Sequence, residues 1–193
     1  MNTKSKKNIV IKIGTTSIIK NNKVDSTLLN KLVDIVKDFS EKYNFVIVTS
    51  GAVGLGASKL KYKTRPKSLK KLQVASAVGQ IELVNQYEKV FNKSKMNIAQ
   101  VLITKNLIDD REQFVNTTQA LNELLSEGIV PVVNENDVVA TEELKFGDND
   151  RLSAIVSIIV NASKLILVTN KQGLYNFNPD KNSDAKMIDF IQF

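Results

Sequence analysis

Five short runs rich in β-branched and apolar residues, Ile9 to Ile13, Phe45 to Thr49, Ile98 to Ile103, Ile129 to Val133 and Leu165 to Thr169, alternate with longer stretches of helical period. Leu28, Leu29, Leu32, Val33, Ile35, Val36 and Phe39 recur at three and four residues, and similar spacing returns from Leu69 to Phe91 and from Phe114 to Leu125. Strand and helix periods taken in turn predict strand–helix–strand units, and so an α/β fold whose mainly parallel sheet is sandwiched between helices. No internal repeat, Pro/Gly-rich linker or low-complexity tract marks a boundary, so residues 1–193 are read as a single domain.

The pattern breaks most informatively between Pro131 and Asp150. A β-branched run ending at Val133 opens into Asn134, Glu135, Asn136 and Asp137, which reads as a buried strand running out into polar loop. Open α/β sheets place ligands at such strand ends. After Thr141 to Phe146 a second polar cluster, Gly147, Asp148, Asn149 and Asp150, precedes an apolar helical run from Leu152 to Val160. Either cluster alone is better read as turn and helix-cap chemistry. Together they would flank one site.

Composition narrows the chemistry. The chain has no Cys and no His, which removes disulfides, thiolate and imidazole metal sites, a Cys nucleophile and every Ser-His triad. Carboxylates, Lys, hydroxyls, backbone amides and a hard oxygen-binding metal such as magnesium remain. The apolar run after the basic start is too short for a signal-peptide core, and the longest apolar stretch falls far short of a membrane span. A cytoplasmic protein without a membrane partner is expected. Net charge is +7, with the densest basic run from Lys59 to Lys71. That run reads either as a solvated loop or as a nucleic-acid patch; scarce Arg and stacking aromatics favour the loop, and no nucleic-acid partner is expected.

Two further turns carry possible chemistry. Lys12 leaves the first strand into Gly14, Thr15, Thr16 and Ser17, where a point charge and close backbone approach would suit a phosphate. It is not a Gly-x-x-x-x-Gly-Lys loop, and by itself it is better read as an ordinary strand-to-helix turn. The second strand runs into Ser50, Gly51, Ala52, Val53, Gly54, Leu55 and Gly56, whose glycines lack dinucleotide spacing but could present amides to a carboxylate or phosphoryl group.

With these segments in view, NENDVVATEELKFGDNDRLSA resembles the glutamate 5-kinase signature of the amino acid kinase family. VIKIGTTSI, VIVTSGAVGLG, LKKLQVASAVGQIELVNQYEKVF and ASKLILVTNKQGLYNFNPDKNSDAKMI are similar to its other motifs, in order. The resemblance implies an amino acid kinase-like domain and transfer of a phosphoryl group from ATP, with magnesium, to the side-chain carboxylate of L-glutamate. The product is L-glutamyl 5-phosphate, the first step of proline biosynthesis. It further implies that Lys12 and Asp150 are catalytic, that Ser50, Gly51, Asp137 and Asn149 hold glutamate, and that Lys12, Gly14, Thr169 and Asn170 meet the nucleotide. Asp137 would suit the ammonium, and Asn149 and the Ser50 turn the carboxylate oxygens. Lys145 would face the glutamate pocket or stand as a surface lysine. Proline is implied as a feedback inhibitor and a homo-oligomer, dimer or tetramer, as the assembly; the small residues Ala75, Ser76, Ala77 and Gly79 suit close packing within a subunit or between subunits.

The sequence departs from the family at Asn170, usually Asp, and at Asn178-Pro179-Asp180, usually Asp-Pro-Arg. The Gly-Gly-Met-x-Thr-Lys turn and the RNA-modification-type domain of some relatives lie outside these 193 residues. On this reading the chain is C-terminally truncated, holding the substrate half and the start of the nucleotide half, with an uncovered apolar edge at Leu165 to Thr169. Slow turnover is then expected, and a glutamate- or proline-binding module without phosphoryl transfer is the alternative.

Overall fold

The computed structural model describes residues 6–139 and 149–191. Lys145, Gly147 and Asp148 lie outside them.

Strand β1 (Lys7–Ile13) sends Ile9, Ile11 and Ile13 into one core and Val10 into another, so Lys12 shares the side of Val10. One turn of helix, α1 (Thr15–Ile18), leads into a small hairpin, β2 (Ile19–Lys20) and β3 (Lys23–Val24). Its tip residues Asn21 and Asn22 have φ of 50° and 59°, the left-handed pair that a two-residue hairpin turn needs and Asn tolerates. Helix α2 (Ser26–Phe39) starts at Asp25, whose carboxylate accepts the Thr27 and Leu28 amides and pairs with Lys20. That Lys20 contact is the main reason the Asp25 carboxyl is held below its ordinary range.

Strand β4 (Tyr43–Val48), helices α3 (Ala52–Lys59) and α4 (Leu69–Lys93), and strand β5 (Ile98–Ile103) follow. A 3₁₀ turn at Lys105–Ile108 precedes α5 (Arg111–Ser126) and β6 (Val130–Glu135). A second 3₁₀ turn, Asp137–Val139, lies ahead of α6 (Asp150–Ile159) and β7 (Lys164–Val168), and a hairpin of β8 (Leu174–Tyr175) and β9 (Met187–Ile188) closes the described chain.

The five predicted strands form one sheet in the order β5-β6-β4-β1-β7, parallel at every pairing. Helices cover both faces, as the two periodicities predicted. Leu29, Leu32, Val33 and Val36 of α2 and Leu83, Tyr87 and Phe91 of α4 pack on Ile9, Ile11, Phe45, Ile47 and Val132. Across the sheet, Leu121 and Leu125 of α5 and Leu152, Ile155 and Val156 of α6 pack on Val10, Val46, Val48 and Val133. Because every strand runs the same way, Gly14, Thr49, Asn136 and Thr169 emerge at a single edge.

One boundary differs from the sequence reading. β6 does not end at Val133 but continues through Asn134 and Glu135, which pair with Leu102 and Ile103 of β5. Neighbouring β5 extends far enough to hold them, so these polar residues are fixed in the sheet instead of in a loop. β7 stands at the sheet edge with Leu165, Ile166 and Leu167 exposed by 37%, 43% and 47%, matching the apolar edge expected there.

Candidate functional site

Lys12 sits near the carboxyl end of β1, buried beneath the start of α6, and its Nζ lies 2.7 Å from Asp150 Oδ1. Asp150 is the first residue of that helix and its side chain is 49% exposed, so the pair has a dry cationic end and a wet anionic one. A Cβ at Gly14 would lie 3.5 Å from the Lys12 ammonium; glycine leaves that approach open.

The turn after β4 is set by Gly51, the N-cap of α3, at φ 109°. Only glycine adopts this without strain, and a Cβ would meet Ile19 Cγ1 at 2.9 Å. Beyond the turn α3 lies directly against α4. A Cβ on Gly56 would stand 1.7 Å from the Ala75 carbonyl oxygen, and one on Gly79 would stand 1.8 Å from that of Ala52. Of the small residues singled out in the sequence, Ala75 and Gly79 therefore serve a contact within the chain, while Ala77 is exposed.

The two polar clusters meet. Asn149 Nδ2 donates to Asn134 Oδ1 at 2.9 Å and also to the Thr49 carbonyl. Asn134 Oδ1 accepts the Glu135 amide at 2.9 Å, and Asn134 Nδ2 donates to Gln80 Oε1 at 2.8 Å. Ser76 Oγ donates to Asp137 Oδ2 at 2.9 Å, fixing one oxygen of that buried carboxylate. The fully buried Tyr87 hydroxyl donates to Thr49 Oγ1 at 2.9 Å, and burial pushes its ionisation well above the usual range, so it stays a donor.

A cavity of about 360 Å³ opens among these groups. Ser50, Gly51, Asp137 and Asn149 line it, so all four residues expected to hold a substrate come together. Glu135 and Asn134 join them from β6, and Thr15 and Asn22 from the first turn and hairpin. Lys63 and Arg65 line it from the loop between α3 and α4. The basic run is thus partly a wall of the cavity, which its charge pattern alone did not reveal. Neither cation forms an ion pair among the described residues, while Lys71 lies 5.7 Å over the Tyr62 ring.

The Asn149 side-chain nitrogen is engaged within the protein, and Oδ1 is its side-chain polar atom outside these bonds. Thr169 and Asn170 are exposed beyond β7, next to Gly14, whose amide reaches the Val168 carbonyl at 3.4 Å, but neither lines the cavity. Among the described residues no group of three or more acidic or His/Cys side chains could hold a metal, and no helix is long and apolar enough to cross a membrane.

Gln80, Ser76 and Tyr87 were not assigned to the site from the sequence. The available signal was their spacing on α4, which places three polar groups on one buried face.

Residues 7–193 match the amino acid kinase family. A glutamate 5-kinase of Prochlorococcus marinus (strain MIT 9301) is 50% identical over 182 residues, covering 93% of this chain and 50% of that protein. The glutamate 5-kinase of Haemophilus influenzae (strain PittGG) is 42% identical over 190 residues, 97% of this chain and 52% of that one. That of Clostridium tetani (strain Massachusetts / E88) is 40% identical over 194 residues, 98% of this chain and 72% of that one. This chain spans about half the length of the first two. Among solved structures, isopentenyl phosphate kinase superposes with a TM-score of 0.65 at 18% identity, covering 96% of this chain and 81% of its own, a likeness of fold.

Proposed function

Since this chain belongs to the amino acid kinase family, we propose that it binds L-glutamate in the cavity at the carboxyl edge of its sheet and serves phosphoryl transfer from ATP to the glutamate side-chain carboxylate. The observation carrying this reading is the charge layout of the cavity and its border: Asp137 and Glu135 on the β6 side, Lys63 and Arg65 on the loop side, and, outside the lining, the Lys12–Asp150 pair that adjoins Asn149 in the chain. An amino acid with one ammonium and two carboxylates matches such a layout.

In this reaction a glutamate side-chain oxygen forms a bond to the γ-phosphorus. The bond from that phosphorus to the β,γ-bridging oxygen breaks, and its electron pair leaves on ADP. A carboxylate is already a nucleophile, so no base is required and the absence of His is no obstacle. Catalysis is then positioning and charge neutralisation. Lys12 faces the moving phosphoryl group, oriented by Asp150. Asp137 takes the substrate ammonium, and the Ser50–Gly51 turn and Arg65 take carboxylate oxygens. Gly14, Thr169 and Asn170 form the nucleotide side. Magnesium arrives as the counter-ion of the nucleotide phosphates. The product, an acyl phosphate, fits the opening step of proline biosynthesis, with proline as the regulatory ligand and a cytoplasmic homo-oligomer as the working form.

Calorimetry with L-glutamate is the direct test, with L-glutamine as the control lacking the second carboxylate. Heat on glutamate and little on glutamine is expected; equal or absent binding of both removes the reading. Asp137→Asn keeps the shape but removes the charge, and should weaken glutamate binding by about 1.5–3 kcal/mol without a matching loss of thermal stability. Unchanged affinity in the folded variant would take the ammonium away from Asp137.

Arg65 is exposed, so its contribution is smaller and salt-sensitive. Arg65→Ala should weaken glutamate by about 1 kcal/mol at low ionic strength and by less in added salt. A loss that does not change with salt, or no loss, would show that the loop only walls the cavity.

A further inference from the structure

Gln80 is buried on α4, outside the cavity wall, and the reading above gives it no task. We propose that Gln80 is a positioning residue: its oxygen anchors the Asn134 carboxamide on the side opposite the Glu135 amide, and through Asn134 it steadies the atom that Asn149 offers in the cavity. This rests on the cavity being the glutamate site.

A carboxamide is nearly symmetric in shape, so its orientation is decided by what each end touches. Asn134 Oδ1 accepts two hydrogen bonds, from the Glu135 amide and from Asn149 Nδ2, each at 2.9 Å. Its nitrogen must then find an acceptor on the opposite side, and Gln80 Oε1 supplies one at 2.8 Å. Were Gln80 reversed, donor would face donor, and the Asn134 nitrogen would be left without its acceptor.

Gln80 Oε1 is committed to Asn134, while its Nε2 is buried without a hydrogen-bond partner among the described residues. It cannot drift out of register, because Gly79 beside it lies against the backbone of α3 with no room for a methyl group. Tyr87 braces the other end of the relay from the same helix, through Thr49, whose carbonyl accepts from Asn149.

The consequence falls on Asn149. With its nitrogen turned inward it has an acceptor left for a ligand, suited to the substrate ammonium. Loss of the Gln80 acceptor leaves the buried Asn134 nitrogen unpaired and the carboxamide held only at its oxygen, so Asn134 loosens and the Asn149 oxygen is presented less firmly to the ammonium.

Calorimetric titration of L-glutamate into two variants tests this. Gln80→Met removes the acceptor at similar volume and should raise the Kd about tenfold, while Gln80→Glu keeps an oxygen toward Asn134 and should stay within about threefold of the unsubstituted protein. A purely structural role would instead make affinity follow thermal stability in both variants. Wild-type affinity in Gln80→Met, or equal losses in the two, would overturn the proposal. A measurement needing no variant is exchange of the Asn149 side-chain amide protons by NMR in the unsubstituted protein. Slow exchange supports the relay; solvent-like exchange overturns it, even if Gln80→Met does not fold. If the unsubstituted protein binds no glutamate, the functional reading fails and the exchange measurement decides the relay by itself.

Discussion

Lys12→Met should lower phosphoryl transfer by about two to three decades or more while glutamate binding and the fold survive. The ammonium is the cation buried at the carboxyl end of the central strand, 5% exposed and 2.7 Å from Asp150. Transfer to a carboxylate concentrates negative charge where two anions meet, and a fixed cation in a water-poor position stabilises that charge without reorganising. Methionine keeps most of the stem and its contacts. Removing one partner of a buried ion pair is usually costly because the other charge is stranded, but Asp150 is half exposed and can be solvated. Stability should therefore change by no more than about 1–2 kcal/mol. ADP release in the presence of glutamate, calorimetry and a melting curve separate the three quantities. Near-normal turnover would return the Lys12 turn to an ordinary structural role.

Gly79→Ala carries the largest expected effect on stability. The added methyl would lie 1.8 Å from the Ala52 carbonyl oxygen and 2.5 Å from the Gly56 amide nitrogen, and both are backbone atoms held in helix α3. Neither can yield as a flexible side chain would, so α3 and α4 must separate. The cost should reach about 3 kcal/mol or more, since overpacking here displaces a whole helix. Because α3 begins at the Ser50–Gly51 turn and α4 carries Ser76 and Gln80, glutamate binding should fall with it. Gly54→Ala is the matched control. Its Cβ meets nothing within 4 Å, and alanine in a helix should raise stability by about 0.5–1 kcal/mol. Urea unfolding of both variants checks the pair; a Gly79→Ala midpoint equal to the unsubstituted one would show that the close approach is not real.

Much of the architecture was legible in the sequence because it is written at short range. Strand period, helix period and their alternation are local, so the five strands, the four long amphipathic or apolar helices and the sandwich of α/β layers could be read without knowing what touches what. Ser50, Gly51, Asp137 and Asn149 could be placed at strand and helix ends for the same reason, and they do meet in the cavity. The end of β6 was misjudged because Asn134 and Glu135 look like loop residues by type. Pairing with β5 keeps them in the sheet, and that pairing is not written in their own neighbourhood.

What only the tertiary structure decided is which polar atoms face each other. Asn149 and Thr49 are 100 residues apart and Asn134 and Gln80 are 54 apart, so no window along the chain contains both ends of those bonds. The direction of a carboxamide, the Ser76 bond to Asp137 and the turn of Lys63 and Arg65 toward the cavity follow from packing α4 against α3 and the sheet. Hydrophobic burial is non-directional and leaves its period in the sequence, whereas a hydrogen bond is directional and short, and so depends on where two distant segments are finally set down.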